Sequence, residues 1–286
     1  MTSLTLPSEL VSADWLYENL NHPDLVLLDA SFFMPGVDRD GHAEWLDVRI
    51  PGAVFFDFHR EICLHNTDLP HMMPCSDDFQ ASAQELGINN DSIIVVYDSL
   101  GIFSSPRVWW MLKAMGAENV AVLDGGLPIW KSKSLPIESG PLAKPIIKGD
   151  FIANQKQTLF CDSKEVLKAT QDDERIIIDA RSPGRFLAQE PEPREGMRSG
   201  HMPSAKNLPF SDLLSEQKMN EAYQLAAIFE TIAPKDKNNG LVFSCGSGVT
   251  ACILALGATL AGYKDISVYD GSWTEWGASD ELPVVS

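Results

Sequence analysis

Short apolar runs that end in an acidic or small polar residue recur along the chain, separated by longer stretches of helical spacing. Leu25-Val-Leu-Leu-Asp29-Ala30 is answered by Ile176-Ile-Ile-Asp179-Ala180. Ile50-Pro51-Gly52-Ala53 is answered by Met202-Pro203-Ser204-Ala205, with 22 positions from Asp29 to Pro51 and 24 from Asp179 to Pro203. A third pair, Ile93 to Asp98 and Leu241 to Cys245, leads in each case through a small-residue loop towards a helix. The fourth pair, Val120 to Gly126 and Ile266 to Gly271, lies 26 positions beyond Asp98 and 25 beyond Cys245, and each is followed by a Trp, Trp130 or Trp276. The chain therefore says one thing twice. Alternating strands and helices predict an α/β fold of two tandem domains, each a mostly parallel sheet flanked by helices. The boundaries expected are residues 1–145 and 151–286, with a Pro- and Gly-containing extended linker near 135–150.

Length agrees with the repeat, since 286 residues suffice for about two domains. With 44% apolar and 22% charged residues the chain has ordinary globular composition. The net charge of −18 excludes a phosphate backbone or an anionic membrane surface as the general partner, so an anionic small substrate needs a local basic pocket. Five cysteines, an odd number without CxxC spacing, argue against a disulfide scaffold and a structural zinc. The opening residues carry no basic stretch followed by an apolar one, and no run of about 18 apolar residues occurs. A reducing, cytoplasmic setting with free thiols is the expectation.

The loop Cys245-Gly246-Ser247-Gly248-Val249-Thr250 separates an apolar strand from an apolar helical run. A strand turning through glycines into a helix points backbone N–H groups and the helix dipole at the first loop residue, which stabilises an anion and makes a cysteine there a candidate thiolate nucleophile. The alternative is a small buried residue at a strand end, which the two glycines make the weaker reading. Cys252, two helical turns on, reads as packing, whereas Cys63, Cys75 and Cys161 lie in polar segments where none is singled out as a redox-sensitive thiol. A cysteine phosphatase would need an Arg six positions after the nucleophile, where this chain has Ala251.

At these residues the chain resembles the two-domain rhodanese superfamily over nearly its whole length. Cys245 to Thr250 match letter for letter the loop of that superfamily's mercaptopyruvate-using members. Thiosulfate-using members typically place two cations where Gly246 and Ser247 stand. Pro51 to Asp57, Pro70 to Pro74, Ser105 to Trp110 and Asp270 to Trp276 agree with the family pattern as well. The resemblance implies two rhodanese-like domains, the C-terminal one catalytic and the N-terminal one inactive with Asp98 in the nucleophile's place. It also makes Arg185 and Arg194 the substrate-gripping arginines, a role suited to the guanidinium fork. Read from the residues alone, both could equally form surface ion pairs with Glu190, Glu192 or Glu195. Arg181 is given at most a supporting role and His201 a structural one, and Trp109, Trp110, Trp273 and Trp276 are expected to pack.

The activity so implied is transfer of the sulfur of 3-mercaptopyruvate to a thiol acceptor, or to cyanide in an assay, through a persulfide on Cys245 with release of pyruvate. Loop N–H groups from Gly246 to Thr250, those of Ser247, Gly248 and Val249 included, would hold the persulfide sulfur. Ser247 either contacts substrate and relays a proton or caps the helix. In some accounts of the family an Asp and a His of the first domain join that Ser. His71 matches the His, while the acidic position reads His59 and leaves the Asp role unassigned. Neither metal nor organic cofactor is implied. The partners expected are an anionic sulfur donor and a thiol acceptor, such as thioredoxin or a low-molecular-weight thiol. Two rival readings remain: a thiosulfate:cyanide sulfurtransferase, and a persulfide relay or redox module without efficient turnover of a small donor.

Overall fold

A computed structural model describes residues 4–172, 174–233 and 240–286. The chain divides into two compact units, one of residues 1–65, 73–156 and 216–218, the other of residues 66–72, 157–215 and 219–286. In the first, strands β1 (Leu10–Val11), β2 (Leu25–Asp29), β3 (Val54–Phe55), β4 (Ile93–Tyr97) and β5 (Val120–Leu123) form a sheet of order β1-β5-β4-β2-β3, every pairing parallel. Helices α1 (Ala13–Asn19), α2 (Gly41–Asp47), α3 (Ser76–Glu85), α4 (Ser105–Ala114) and α5 (Gly126–Ser132) connect them. The second unit repeats the plan. Strands β6 (Phe160–Cys161), β7 (Arg175–Asp179) and β8 (Lys206–Asn207) are followed by a short two-stranded ladder, β9 (Leu214–Ser215) and β10 (Lys218–Met219). With β11 (Gly240–Ser244) and β12 (Ile266–Tyr269) the main sheet has order β6-β12-β11-β7-β8, again wholly parallel. Its helices are α6 (Ser163–Ala169), α7 (Pro183–Phe186), α8 (Ala222–Ile232), α9 (Ala251–Leu260) and α10 (Ser272–Trp276).

The α/β architecture expected from the alternating pattern is thus present in both halves. The middle strands β4 and β11 are buried at every residue, which is why their sequences read as unbroken apolar runs rather than alternating ones. The helices that follow them, α4 and α9, are buried nearly all round, and their sequences lack a polar face. The equivalences extend to single hydrogen bonds. Ala30 N donates to Tyr97 O as Ala180 N does to Ser244 O, and Leu127 N donates to Asp98 O as Trp273 N does to Cys245 O. Trp109, Trp110, Trp130, Trp273 and Trp276 are all buried.

The segment expected as an extended linker is irregular, but it is tied to the first unit. Gly149 N donates to Gln84 O, Phe151 N to Ile88 O and Lys156 N to Ala114 O, so the stretch from residue 151 to 156 belongs to the first unit and the main run of the second starts at Gln157. Backbone groups that water could have satisfied in a free linker are instead paired with the ends of α3 and α4. Among the described residues no helix is long and apolar enough to cross a membrane.

Asp29 and Asp179 occupy the same strand end, yet only Asp179 has a cation beside it, Arg181, where the first unit has Ser31. Burial pushes the Asp29 carboxyl up to about 6 from 3.8, outweighing the hydrogen bonds from Ser31 and Tyr97. The native state therefore retains a proton that the unfolded chain loses between those two values, and this group's contribution to stability falls as pH rises through that window. Asp29→Asn, which keeps the acceptor but cannot ionise, is expected to be more stable than the wild type at pH 8 by about 1–3 kcal/mol. The gain should vanish near pH 4, as urea unfolding midpoints at the two pH values will show.

Candidate active site

The loop after β11 leaves the middle of the second sheet at its carboxyl end, where α/β sheets place their ligands. Cys245, 2% exposed, directly follows the strand, and α9 begins six residues later. Gly248 has φ +75°, a conformation that glycine adopts without a Cβ clash. The carbonyls of Cys245 and Gly246 accept from Trp273 N and Thr274 N at the start of α10, at 3.0 and 2.9 Å. From the same helix the Ser272 hydroxyl accepts the N–H groups of Cys245 and Gly248, both at 3.1 Å, and donates to Tyr269 O at 2.8 Å.

This arrangement decides which amides face outward. Gly248, expected among the groups that hold a sulfur anion, gives its N–H to Ser272 instead, because the loop curls round that hydroxyl. The N–H groups of Gly246, Ser247, Val249 and Thr250 donate to no protein atom among the described residues. Ser247 is buried, and its hydroxyl bonds no described residue. It does not cap α9, whose N-cap is Thr250 without a side-chain bond. Cys252 packs beneath the loop and donates its S–H to Gly248 O at 3.3 Å.

The equivalent loop of the first unit is organised from within. The Asp98 carboxylate accepts the N–H groups of Leu100, Phe103, Ser104 and Ser105 at 2.9–3.0 Å and the Ser105 hydroxyl at 2.6 Å. Gly126 stands there in the place of Ser272, pressed so close to Asp98 O and Gly101 O that no side chain fits.

Arg185, on the one-turn helix α7, lies against the loop, and a Cβ built at Gly246 would sit 3.2 Å from its Nη2. Its Nε donates to both oxygens of Glu192 at 3.2 Å, and its Nη2 donates to the same carboxylate. Glu192, 1% exposed, also accepts from Arg181 Nη1 at 2.7 Å. Arg181 is fully buried, pairs with Asp179, donates to Gly200 O and lies over the Trp273 ring. Burial opposes its charge, but Asp179 and Glu192 outweigh that and raise its pKa. The ion pair anticipated for Arg185 thus exists with Glu192, though as a part-buried pair whose carboxylate is covered rather than a surface one.

Arg194 differs, forming no hydrogen bond or ion pair among the described residues. Burial lowers its pKa, the charge of Cys245 opposes this, Arg185 adds to it, and Glu192 acts weakly against it, so Cys245, Arg185 and Glu192 all lie within electrostatic reach of Arg194. Arg194 lines a cavity of about 230 Å³ with Asp68, Pro70, Glu195, Met197 and Thr274. His71 is buried beside Pro70, with φ +63°. His201 is held by Phe186 through a 2.9 Å bond to its carbonyl and a 3.9 Å ring stack. Of the remaining cysteines only Cys75 is exposed. Burial pushes Cys161 up to about 12, and burial with Asp57 and Glu61 raises Cys63, so neither offers a thiolate at neutral pH.

In the sequence Ser272 stands out only as part of the Asp270 to Trp276 motif, and Glu192 reads only as a surface partner. The Gly126 to Ser272 difference between copies was the available signal for the first. The presence of Arg181 in one copy only was the signal for the second.

A rhodanese-like domain model matches residues 12–133 and 162–279. The 3-mercaptopyruvate sulfurtransferase of Escherichia coli (strain K12) is 40% identical over 275 residues, 96% of each chain. The thiosulfate/3-mercaptopyruvate sulfurtransferase 1, mitochondrial, of Arabidopsis thaliana is 39% identical over 305 residues, covering 100% of this chain and 80% of its own. The crystal structure of Escherichia coli SseA, described as a 3-mercaptopyruvate sulfotransferase of the rhodanese fold, superposes with TM-score 0.84 at 36% identity, over 93% of this chain and 99% of that one.

Removing the Ser272 hydroxyl leaves two buried amides without an acceptor. Ser272→Ala is expected to lower stability by about 1–3 kcal/mol in urea unfolding. Gly126→Ser, which adds a hydroxyl where the loop has no space, should destabilise at least as much. A Ser272→Ala protein as stable as the wild type would show that the hydroxyl does not hold the loop.

Proposed function

The chain belongs to the rhodanese family, with two copies of its domain in tandem, and we propose that it is a 3-mercaptopyruvate sulfurtransferase whose catalytic copy is the second. The observation that carries this reading is the contrast between the two loops. One amide cradle is filled by Asp98, while its counterpart holds Cys245 beside unengaged amides and two arginines.

In the mechanism we propose, the donor's carboxylate meets Arg194 and its ketone oxygen meets Arg185, whose Nη1 donates to no described residue. The Cys245 thiolate attacks the donor's sulfur. An S–S bond forms, the C–S bond breaks, and its electron pair passes to carbon as the enolate of pyruvate, with the developing oxyanion facing Arg185. The proton of the donor's thiol moves to that carbon, with the Ser247 hydroxyl as relay, giving pyruvate and a persulfide anion. The N–H groups of Gly246, Ser247, Val249 and Thr250 hold the outer sulfur; such a donor set contributes on the order of 10²-fold per group in oxyanion sites. An acceptor thiolate then attacks that sulfur, the S–S bond breaks, and Cys245 is restored. His71, in the segment that borders the cavity, is assigned as a neighbour of the site. The acceptor is a thiol, thioredoxin or a small one, and the compartment is the cytoplasm, which suits five free cysteines.

The choice of mercaptopyruvate over thiosulfate rests on Gly246. Any side chain there would crowd Arg185, and neither position 246 nor 247 adds a cation. The thiosulfate reading stays in view because the Arabidopsis relative is named for both donors. Three measurements test the proposal. Wild-type protein should release pyruvate from mercaptopyruvate, and Cys245→Ser should release none. Exposure to mercaptopyruvate alone should add the mass of one sulfur atom to the wild type only; a protein that stays unmodified would instead be a relay. Finally, kcat/KM for mercaptopyruvate should exceed that for thiosulfate, and the reverse order would overturn the donor assignment.

A further inference from the structure

Resting on that functional reading, we infer that Glu192 sets the number of negative charges the site accepts, matching it to a donor with one charge rather than two. Four ionic side chains beside the loop, three of them buried and Arg185 partly so, balance in pairs: Asp179 with Arg181, and Glu192 bridging Arg181 and Arg185. Their charges sum to zero. Arg185 thus reaches the loop with its charge already compensated, and it offers a donor direction rather than a net cation. Among these arginines Arg194 remains uncompensated, since it is half-buried, lies within electrostatic reach of Cys245 and has no ion pair among the described residues. Asp68 and Glu195 share its cavity, but neither comes within ion-pair distance of it.

A single net cation suits a monocarboxylate such as mercaptopyruvate. Thiosulfate would bring two charges into a space where burial weakens solvation, and its second charge would find Glu192 behind Arg185. Selectivity of this kind works by repulsion of the wrong ligand as much as by attraction of the right one. Glu192 itself is a positioning residue: its carboxylate fixes the Arg185 fork over Gly246 and touches no substrate atom.

The test compares kcat/KM for mercaptopyruvate and thiosulfate, and competitive inhibition by pyruvate and by sulfate, in the wild type, Glu192→Gln, Glu192→Asp and Arg185→Gln/Glu192→Gln. Glu192→Gln, with two uncompensated cations, is expected to raise the thiosulfate-to-mercaptopyruvate ratio about tenfold and to strengthen sulfate inhibition relative to pyruvate. Glu192→Asp keeps the charge and should hold the ratio within about twofold, even if both rates fall. The double variant returns the site to one uncompensated cation, so its ratio should match the wild type although both donors turn over slowly. An unmoved ratio in Glu192→Gln overturns the inference, as does an equal shift in Glu192→Asp or in the double variant. If Glu192→Gln fails to fold, the other two variants decide, each having a definite expected ratio. A wild type inert towards mercaptopyruvate would sink the functional reading itself, whereas an active wild type with an unmoved ratio sinks only the role of Glu192.

Discussion

A strand that turns into a helix gathers backbone N–H groups round one point, and something negative has to occupy that point. In this protein the requirement arises twice, after β4 and after β11, and is met in two ways. The first unit satisfies it covalently, with the Asp98 carboxylate placed among four amides and a hydroxyl. The second cannot, because a cysteine has one sulfur and a short reach. Its loop is gathered instead from outside by Ser272, which takes two amides and leaves others facing Cys245. Both loops keep the same carbonyl bond to the start of the next helix, so the difference lies in the side chains rather than in the fold.

The charges follow from this constraint. In a chain of net charge −18 the arginines gathered near Cys245 would be expensive to bury alone. Arg181 has no access to solvent and is neutralised by Asp179 and Glu192, with the Trp273 ring as its floor. Arg185 is tied to the same carboxylate and is brought to the loop by the one-turn helix α7. Arg181 and Glu192 tie the network together, since Arg181 bonds Asp179, Glu192 and Gly200 O, and Glu192 bonds both arginines. In the first unit the corresponding strand end carries Asp29 and Ser31, with no cation. That carboxyl has no ion-pair partner among the described residues, and hydrogen bonds from Ser31 and Tyr97 offset only part of its desolvation.

Much of this was legible before any coordinates. Apolar runs ending in Asp-Ala predicted strands, the internal repeat predicted two equal units, and the glycines flanking Cys245 marked a close turn. These features are local or periodic, so one dimension suffices to read them. Ser272 escaped because its partners, Cys245 and Gly248, lie 27 and 24 positions away, across a helix and a strand. Glu192 escaped because an acidic residue in an acidic, proline-rich stretch reads as surface, and only the fold brings Arg181 and Arg185 to it. The supposed linker escaped for a related reason. Its Pro and Gly content signals irregular backbone, and irregular backbone can be pinned as firmly as a strand when carbonyls such as Ile88 O and Ala114 O lie beside it.

The two copies therefore differ in how they distribute stability. A buried amide left without an acceptor costs about 1–3 kcal/mol; Asp98 spares its own loop that cost, whereas the loop around Cys245 leaves four amides with no protein acceptor among the described residues, a deficit in hydrogen bonds. Function requires that deficit, since a cradle already filled cannot receive a sulfur anion. Ser272 limits it by engaging two of the amides and by fixing the curvature with which the others point, at the expense of its own φ of +49°. A polar side chain at a strained position in one copy, where the other copy has glycine, thus identifies the loop that is held open for a ligand. In a duplicated chain this comparison tells the loop filled by its own side chain from the loop left open by backbone accounting alone.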